Sequence, residues 1–169
     1  MSHARVFVVI RATIYATGFI ALLLVFIPSQ LLARSGISRP PPVGVPETFG
    51  AAIAVAGAVV ALWCILTFVV VGRGTPAPFD PPRSLVVRGP YRYVRNPMYV
   101  GAGLVLAGAA AVYHSLSLLG YLALLVVLTQ GLVVWYEEPA LTRSFGTDYA
   151  SYRERVNRWL PRWPRDASR

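Results

Sequence analysis

The residue types best suited to chemistry include two adjacent carboxylates, Glu137 and Glu138, directly after the apolar run Val-Val-Trp-Tyr. The end of an apolar helix carries the negative end of the helix dipole, which favours cations over acids. Carboxylates at such a position are expected to have partners, either Arg side chains or a ligand that offers hydroxyls, an amine or a cationic sulfur. The alternative is that they only mark the point where an apolar helix meets water.

A second cluster begins at Arg88 and reads Arg-Gly-Pro-Tyr-Arg-Tyr-Val-Arg-Asn-Pro-Met-Tyr-Val-Gly-Ala-Gly. A residue before proline is driven out of helical geometry, and proline suits a first helical turn. The pattern therefore predicts Asn96 as a helix N-cap and Pro97 as the first helical residue. Gly101 and Gly103 would then let a flat ligand approach the helix, although glycines there are equally typical of helix packing in membranes. The tyrosines are also typical of an interfacial aromatic belt.

The composition indicates where these clusters reside. Of 169 residues, 56% are hydrophobic and 14% are charged, whereas about a quarter of a typical soluble domain is charged. This balance is typical of helices that span a bilayer rather than of a water-soluble protein. The net charge of +9 comes from Arg residues separated by long apolar runs. This distribution is typical of basic segments that set the orientation of a membrane protein, and no nucleic-acid partner is expected.

Four apolar segments are candidate spans. The first, about 6–27, ends at Pro28 without a small-residue cleavage site and is expected to be retained. A proline-rich loop, 29–48, is expected to be structureless, and the second span follows at about 49–71. Residues 99–136 hold the third and fourth spans, which the dip Tyr113-His114-Ser115 divides into a helical hairpin.

The chain becomes polar after the paired glutamates. Apolar residues recur there at steps of three and four from Leu141 to Trp159, which predicts an amphipathic helix interrupted at Gly146 and ended by Pro161. The predicted fold is an all-α polytopic membrane helical bundle with about four transmembrane helices and cytoplasmic carboxy-terminal helices. It forms a single domain, with two amino-terminal spans in 1–71, a region that contains both candidate clusters in 72–161 and a tail in 162–169.

The Arg distribution predicts the orientation. Four spans place both termini and the 72–98 loop on one side, and that side holds every Arg except Arg34 and Arg39. Because cytoplasmic loops are rich in basic residues, both termini and the 72–98 loop are expected in the cytoplasm, in an inner or plasma membrane. Both candidate clusters then lie at the cytoplasmic face.

The joint pattern over about 84–161 resembles a known superfamily. A Gly-Pro-Tyr-Arg-Tyr-Val-Arg-Asn-Pro-Met-Tyr stretch opens the hairpin, Glu-Glu-Pro closes it, and Phe-Gly follows with spaced tyrosines. This resembles the membrane methyltransferases that include isoprenylcysteine carboxyl methyltransferase and the phospholipid N-methyltransferases. The resemblance implies an S-adenosylmethionine-dependent methyltransferase whose cofactor pocket is closed by the loop, the hairpin and the carboxy-terminal helices.

The resemblance also implies which residues bind the cofactor. Tyr91 would line the adenosine site, and one of the paired glutamates would bind the amino-acid portion. The remaining positions match an Arg-His-Pro-x-Tyr motif, a Gly-x-Gly motif and possible backbone contacts upstream. The complete set is Leu85, Val86, Tyr91, Arg95, Asn96, Pro97, Met98, Tyr99, Gly101, Gly103, Glu137 and Glu138. No metal is expected, and no catalytic residue is assigned.

Two departures from the family pattern bear on the acceptor. Asn96 replaces the usual His and cannot titrate near neutrality, which argues against a general base at this position. Val133 and Val134 stand where the isoprenylcysteine enzymes place an Arg that holds the substrate carboxylate. We therefore expect a hydrophobic or lipid-like acceptor, reached from the bilayer, that does not depend on an ion pair there.

Three other functions fit parts of the pattern. One is a non-catalytic membrane protein that retains the methyltransferase fold, and another is a methyltransferase for small thiols or amines. A small transporter or channel would need polar residues that face one another at mid-bilayer. The predicted spans offer little beyond Thr67, Thr129 and Gln130. No oligomeric state follows from the sequence.

Overall fold

The computed structural model describes residues 18, 20–37, 39–67 and 85–163, and in those ranges every regular element is helical. Helix α1 comprises a π-helical part, Ala21–Phe26, and an α-helical part, Ile27–Arg34. The other helices are α2 (Val45–Thr67), α3 (Pro97–Val112), α4 (Leu116–Leu132) and α5 (Glu138–Arg155). A 3-10 turn, Gly89–Arg92, precedes α3, and a π-helical turn, Val133–Glu137, joins α4 to α5. The expected all-α class is confirmed for the described residues.

Two helices are long and apolar enough to cross a membrane. They are Val45–Thr67, with a mean hydropathy of 2.4, and the continuous helix Leu116–Arg155, whose apolar part reaches 2.1. Only 17% and 11% of the residues in these apolar stretches are buried inside the molecule. Their apolar side chains face outward, as expected of helices that contact lipid. The apolar helices Ala21–Arg34 and Pro97–Val112 are shorter, and most of the predicted first span lies outside the described residues.

The proline-rich loop is shorter than predicted. Helix α1 does not end at Pro28, because the π-helical part Ala21–Phe26 runs directly into Ile27–Arg34, and local π adjustments let a helix continue through a proline. Helix α2 begins at Val45, three residues before the loop was expected to end at residue 48. The Glu47 carboxylate accepts a hydrogen bond of 2.8 Å from the Gly44 N–H and fixes that start. Both predicted boundaries of the structureless loop were therefore wrong.

Glycines bring α2 and α3 into close contact. A Cβ atom added to Gly57 would lie 2.6 Å from the Gly101 carbonyl oxygen, and one added to Gly101 would lie 2.8 Å from the Gly57 oxygen. Separations this short leave no room for a side chain at either position. The contact is the small-residue helix packing weighed for Gly101, and it fixes the first turns of α3 against α2.

The predicted division of residues 99–136 into two helices at Tyr113-His114-Ser115 is confirmed. Helices α3 and α4 are joined at Tyr113, His114 and Ser115, and His114 has a positive φ of 48°. The Ser115 hydroxyl caps α4 by accepting a hydrogen bond of 3.3 Å from the Leu118 N–H. A contact of 2.6 Å between His114 Nε2 and Glu47 Oε1 ties this turn to the start of α2.

The chain after α4 differs from the prediction in two respects. The helix does not end at the paired glutamates, because the π-helical turn leads directly into α5. The predicted interruption is confirmed, since Gly146 has a φ of 46° inside α5. The helix ends at Arg155 rather than Pro161, because Val156 adopts an extended conformation. Residues 156–163, here called the C-terminal strap, then cross residues 85–96, here called the basic loop, with a bridge between Val94 and Asn157.

Candidate functional site

Glu138 forms the centre of a buried ionic cluster. Its side chain is 9% exposed, and both carboxylate oxygens are bound by Arg158, with Nε 2.8 Å from Oε1 and Nη2 2.9 Å from Oε2. Arg95 Nη1 lies 3.0 Å from the same Oε1 atom, and the Arg95 side chain is 10% exposed. The paired carboxylates were expected to find Arg side chains or a ligand. For Glu138 an Arg partnership is confirmed.

The charges around Glu138 decide its protonation. Burial alone would raise the pKa of this carboxyl group, but the hydrogen bonds from Arg158 and the positive charges of Arg95, Arg158 and Arg153 outweigh burial and lower the pKa below its usual range. The same hydrogen bonds raise the pKa of Arg158. Glu138 is therefore a carboxylate at neutral pH, and its two oxygens are already engaged by guanidinium groups.

Glu137 has a different environment, although it precedes Glu138 directly. Successive side chains on a helix point in different directions, so Glu137 faces α3 while Glu138 faces the strap. The Tyr99 hydroxyl donates a short hydrogen bond to Glu137 Oε1. Burial raises the pKa of Glu137; the hydrogen bond from Tyr99 lowers it, and the charge of Glu138 raises it further. The two glutamates thus divide into one held fully ionised and one more readily protonated.

Asn96 lies at the predicted N-cap position of α3, directly before Pro97. Its side chain makes no capping hydrogen bond, however. Instead its Nδ2 atom donates to the Arg158 carbonyl oxygen at 3.3 Å. The neighbouring Arg95 N–H donates to the Asn157 oxygen at 2.9 Å. Asn96 therefore ties the basic loop to the strap and has no general-base geometry.

Tyrosines of α5 and apolar residues around α2 pack against the basic loop. The Tyr152 hydroxyl donates a hydrogen bond of 2.6 Å to the Tyr91 carbonyl oxygen. Tyr149 accepts from Arg95 Nη1 at 3.4 Å, and its ring lies 6.2 Å from that of Tyr152. Leu85 packs against the two tyrosines of α5. Val86, Tyr91 and Met98 pack around Cys64 of α2.

The structure brings together one part of the predicted site and separates another. Arg95, Asn96 and Tyr99 lie with the paired glutamates beneath the strap. Gly101 faces α2, and a Cβ on Gly103 would have only the Leu122 side chain within 4 Å, at 3.8 Å, among the described residues. The two glycines therefore do not line the ionic cluster directly.

An open groove of about 460 Å³ lies beside Glu138. Its lining combines apolar, acidic and cationic residues, namely Val134, Glu138, Pro139, Thr142, Arg143 and Arg153. The two valines differ in their surroundings, since Val133 is 1% exposed and Val134 lines the groove. Val134 therefore contributes apolar surface to the groove.

Sequence reasoning missed the contribution of the strap. Arg158 is one of seven Arg residues after the paired glutamates, and their spacing does not tell which of them binds Glu138. Trp159 donates from Nε1 to Gln130 Oε1 at 2.7 Å, and its ring lies 6.4 Å from that of Tyr99. The polar Gln130 within an apolar span was the one signal that some segment folds back toward α4.

Comparison with known proteins complements this geometry. A family model described as phospholipid methyltransferase matches residues 45–148. The matched region is well over half of the chain and includes the basic loop, the hairpin and both glutamates, but it ends before the C-terminal strap. No curated protein and no solved structure matches the chain.

Proposed function

The chain belongs to the phospholipid methyltransferase family, a membrane methyltransferase family related to the isoprenylcysteine enzymes, and we propose that it transfers a methyl group from S-adenosylmethionine to an apolar acceptor reached from the bilayer. Enzymes of this family generally use that cofactor. The observation that carries the proposal is the buried cluster of Glu137, Glu138, Arg95 and Tyr99 where the apolar hairpin ends.

The groups in this cluster fit the amino-acid portion of the cofactor. An α-ammonium group needs an anionic acceptor, and Glu137 is the carboxylate that is not already held by guanidinium groups. An α-carboxylate needs cationic donors, and the buried Arg95 Nε atom has no hydrogen-bond partner among the described residues. A buried donor without a partner is costly, so a ligand oxygen at Arg95 would satisfy it.

The remaining predicted residues complete the proposed site. Tyr91, Leu85 and Val86 are proposed to flank the adenosine group, while Met98 packs beneath them. Pro97 fixes the first turn of α3, and Gly101 lets α3 pack closely against α2. Gly103, with only the Leu122 side chain nearby among the described residues, is proposed to leave space for a ligand on α3. When bound, the cofactor supplies a methyl group activated by a cationic sulfur. The chain itself then has to orient the reactants and exclude water.

The groove beside Glu138 is the proposed acceptor site. Val134 and Pro139 contribute apolar surface to its lining, and Arg143 and Arg153 contribute positive charge. Because Val134 continues the outward-facing apolar surface of the hairpin, an acceptor with an apolar body would slide from lipid to the groove without crossing water. We propose a neutral or amine-like reacting group on that acceptor.

The site is proposed to face the cytoplasm. All Arg residues except Arg34 and Arg39 fall on the side of the membrane that holds the termini and the 72–98 loop in a four-span topology. The cofactor is water-soluble, and this orientation would give it direct access to the ionic cluster. The acceptor and the cofactor would then reach one site from two different phases.

Radiolabelled S-adenosylmethionine binding to the purified protein in lipid nanodiscs tests the proposal. We expect saturable binding and, in native lipid extract, transfer of label to an apolar product. A non-catalytic family member would bind the cofactor without labelling any product. A protein that neither binds nor transfers would contradict the proposed function.

A further inference from the structure

The C-terminal strap is attached to the basic loop by contacts that do not involve the Arg158 guanidinium. The Arg95 N–H donates to Asn157 O at 2.9 Å, and the Arg162 N–H donates to Tyr93 O at 2.8 Å. Asn96 Nδ2 adds a bond of 3.3 Å to the Arg158 carbonyl, which is a backbone atom. The strap is therefore expected to stay docked when the Arg158 side chain is changed.

The guanidinium of Arg158 has a separate task. It binds both oxygens of Glu138, and its Nε shares Oε1 with Arg95 Nη1. Two guanidinium groups of the same charge are thus held side by side by one carboxylate. Both oxygens of Glu138 are engaged, and because Arg158 belongs to the strap and Arg95 to the basic loop, Glu138 bridges these two segments.

We propose that Arg158 is a positioning residue that acts through Glu138 to fix the Arg95 guanidinium, and thereby the carboxylate-binding part of the cofactor site. The inference rests on the proposed function and extends it to a segment beyond the family match, which ends at residue 148. Arg158 holds Glu138, Glu138 holds Arg95 Nη1, and the buried Arg95 Nε, which has no hydrogen-bond partner among the described residues, is the proposed donor to the cofactor.

Removal of the Arg158 charge should have effects that the loss of a merely structural contact would not have. Removing the Arg158 charge leaves Glu138 with Arg95 and with Arg153, whose Nη2 is 4.0 Å away. The Glu138 carboxyl then loses its strongest hydrogen bonds, so it should take up a proton at a higher pH and release Arg95 as it does so. Other charged or titratable groups that face Glu138 stay in place, namely Arg95, Arg153, Tyr149 and Glu137.

The test compares Arg158→Gln with Arg162→Gln. Both substitutions remove one positive charge from the strap, but the Arg162 side chain donates to the Glu154 carbonyl at the surface and does not touch Glu138. In calorimetric titrations with S-adenosylmethionine, R158Q should bind roughly 10- to 100-fold more weakly than wild type, and R162Q should bind like wild type. The acid limb of the affinity-against-pH profile should move to higher pH in R158Q alone.

Two further variants establish the route of the effect. Glu138→Gln combined with R158Q should bind no more weakly than E138Q alone, because the Arg158 effect passes through Glu138. Arg158→Lys keeps one charged contact but not the bidentate pair, so it should restore part of the affinity and part of the profile. If R158Q does not fold, R158K carries the test with a smaller loss and a smaller shift.

The outcomes separate the inference from the proposed function. If wild type binds the cofactor and R158Q behaves as R162Q does, or if R158Q and E138Q are additive, the positioning role is wrong while the proposed function stands. Weaker binding by R158Q without any shift of the acid limb would also overturn it. A wild-type protein that binds no cofactor would overturn both.

Discussion

Tyr99 and Glu137 are joined by a hydrogen bond from the phenol to the carboxylate across the α3–α4 hairpin, although 38 positions separate them in the chain. The bond links the two sequence clusters that carry polar chemistry. It forms because Pro97 starts α3 at the base of the hairpin and because the π-helical turn after α4 carries Glu137 toward α3. The adjacent Glu138 faces the strap instead, so neighbouring glutamates serve different partners.

The first prediction separates the two glutamates by substitution. Glu137→Gln should weaken S-adenosylmethionine binding by removing a charged hydrogen-bond acceptor, a loss of about 1.5–3 kcal/mol or roughly 10- to 150-fold. Glu138→Gln should weaken binding as well, through the loss of Arg95 positioning, and should also lower the unfolding temperature because two guanidinium groups lose their anion. Calorimetry and thermal unfolding measure both effects. Unchanged cofactor affinity in both variants would place the cofactor elsewhere.

The second prediction concerns pH and stability. The Glu138 pKa is lowered in the folded protein, so its stabilising contribution is complete above the ordinary carboxyl pKa and is lost as the pH falls through the folded value. The Glu137 pKa is raised, so its contribution runs the other way and declines as the pH rises from the ordinary value through the raised one. The unfolding temperature of E138Q should no longer fall as the pH drops through the folded pKa of Glu138. The unfolding temperature of E137Q should no longer fall as the pH rises from the ordinary carboxyl pKa through the raised pKa of Glu137. Profiles identical to wild type would contradict the assigned environments.

The third prediction tests the helix contact that supports the site. Gly57→Ala places a methyl group 2.6 Å from the Gly101 carbonyl oxygen, where it cannot fit without moving α2 or α3. We expect a loss of about 1–3 kcal/mol, typical of overpacking, and a lower unfolding temperature. Gly103→Ala is the matched control, because its nearest neighbour would be Leu122 Cδ1 at 3.8 Å. Equal effects of the two substitutions would mean that α2 and α3 are not in close contact.

The fourth prediction concerns orientation. Ser38→Cys and Thr75→Cys flank the second predicted span, and the Arg distribution places them on opposite sides of the membrane. The native Cys64 is fully buried and should not react. A membrane-impermeant maleimide should label Ser38→Cys in intact cells and Thr75→Cys only after lysis. Labelling of both on the same side would contradict the four-span topology.

The sequence predicted those features of the site that depend on neighbouring residues, and it missed those that depend on contacts between distant parts of the chain. Local rules placed the start of α3 at Pro97, the division at His114 and the break at Gly146, because each depends on backbone preferences within a few residues. The bridge from Glu138 to Arg158 depends on where the chain goes after Arg155. An extended Val156 turns the strap back toward the basic loop, and helical periodicity does not encode that turn.

The same reasoning explains the boundary errors. Pro28 and Pro161 were both expected to end helices, since proline interrupts the helical hydrogen-bond pattern. Pro28 instead lies inside α1, directly after its π-helical part, and the C-terminal helix ends before Pro161 is reached. A proline limits where a helix can extend, and the tertiary contacts of the neighbouring residues decide where it ends.

The last prediction concerns the acceptor. Val133 is buried and Val134 lines the groove beside Glu138, so the groove surface formed by Val134 is apolar. A free carboxylate brought against it would lose its hydration without compensation, at a cost of several kcal/mol. Labelled S-adenosylmethionine should therefore methylate members of a panel of neutral lipids and lipid amines in preference to an S-farnesylcysteine analogue.

Arg143 and Arg153 are the groups that decide whether this reasoning holds. They line the same groove, and long Arg side chains travel along apolar surfaces to reach a charged partner. Wild type and Arg143→Gln should show the same selectivity if the acceptor carries no carboxylate. Efficient methyl-ester formation on the farnesylcysteine analogue alone, abolished by Arg143→Gln, would show that Arg143 performs the clamping and that the apolar wall does not select the acceptor.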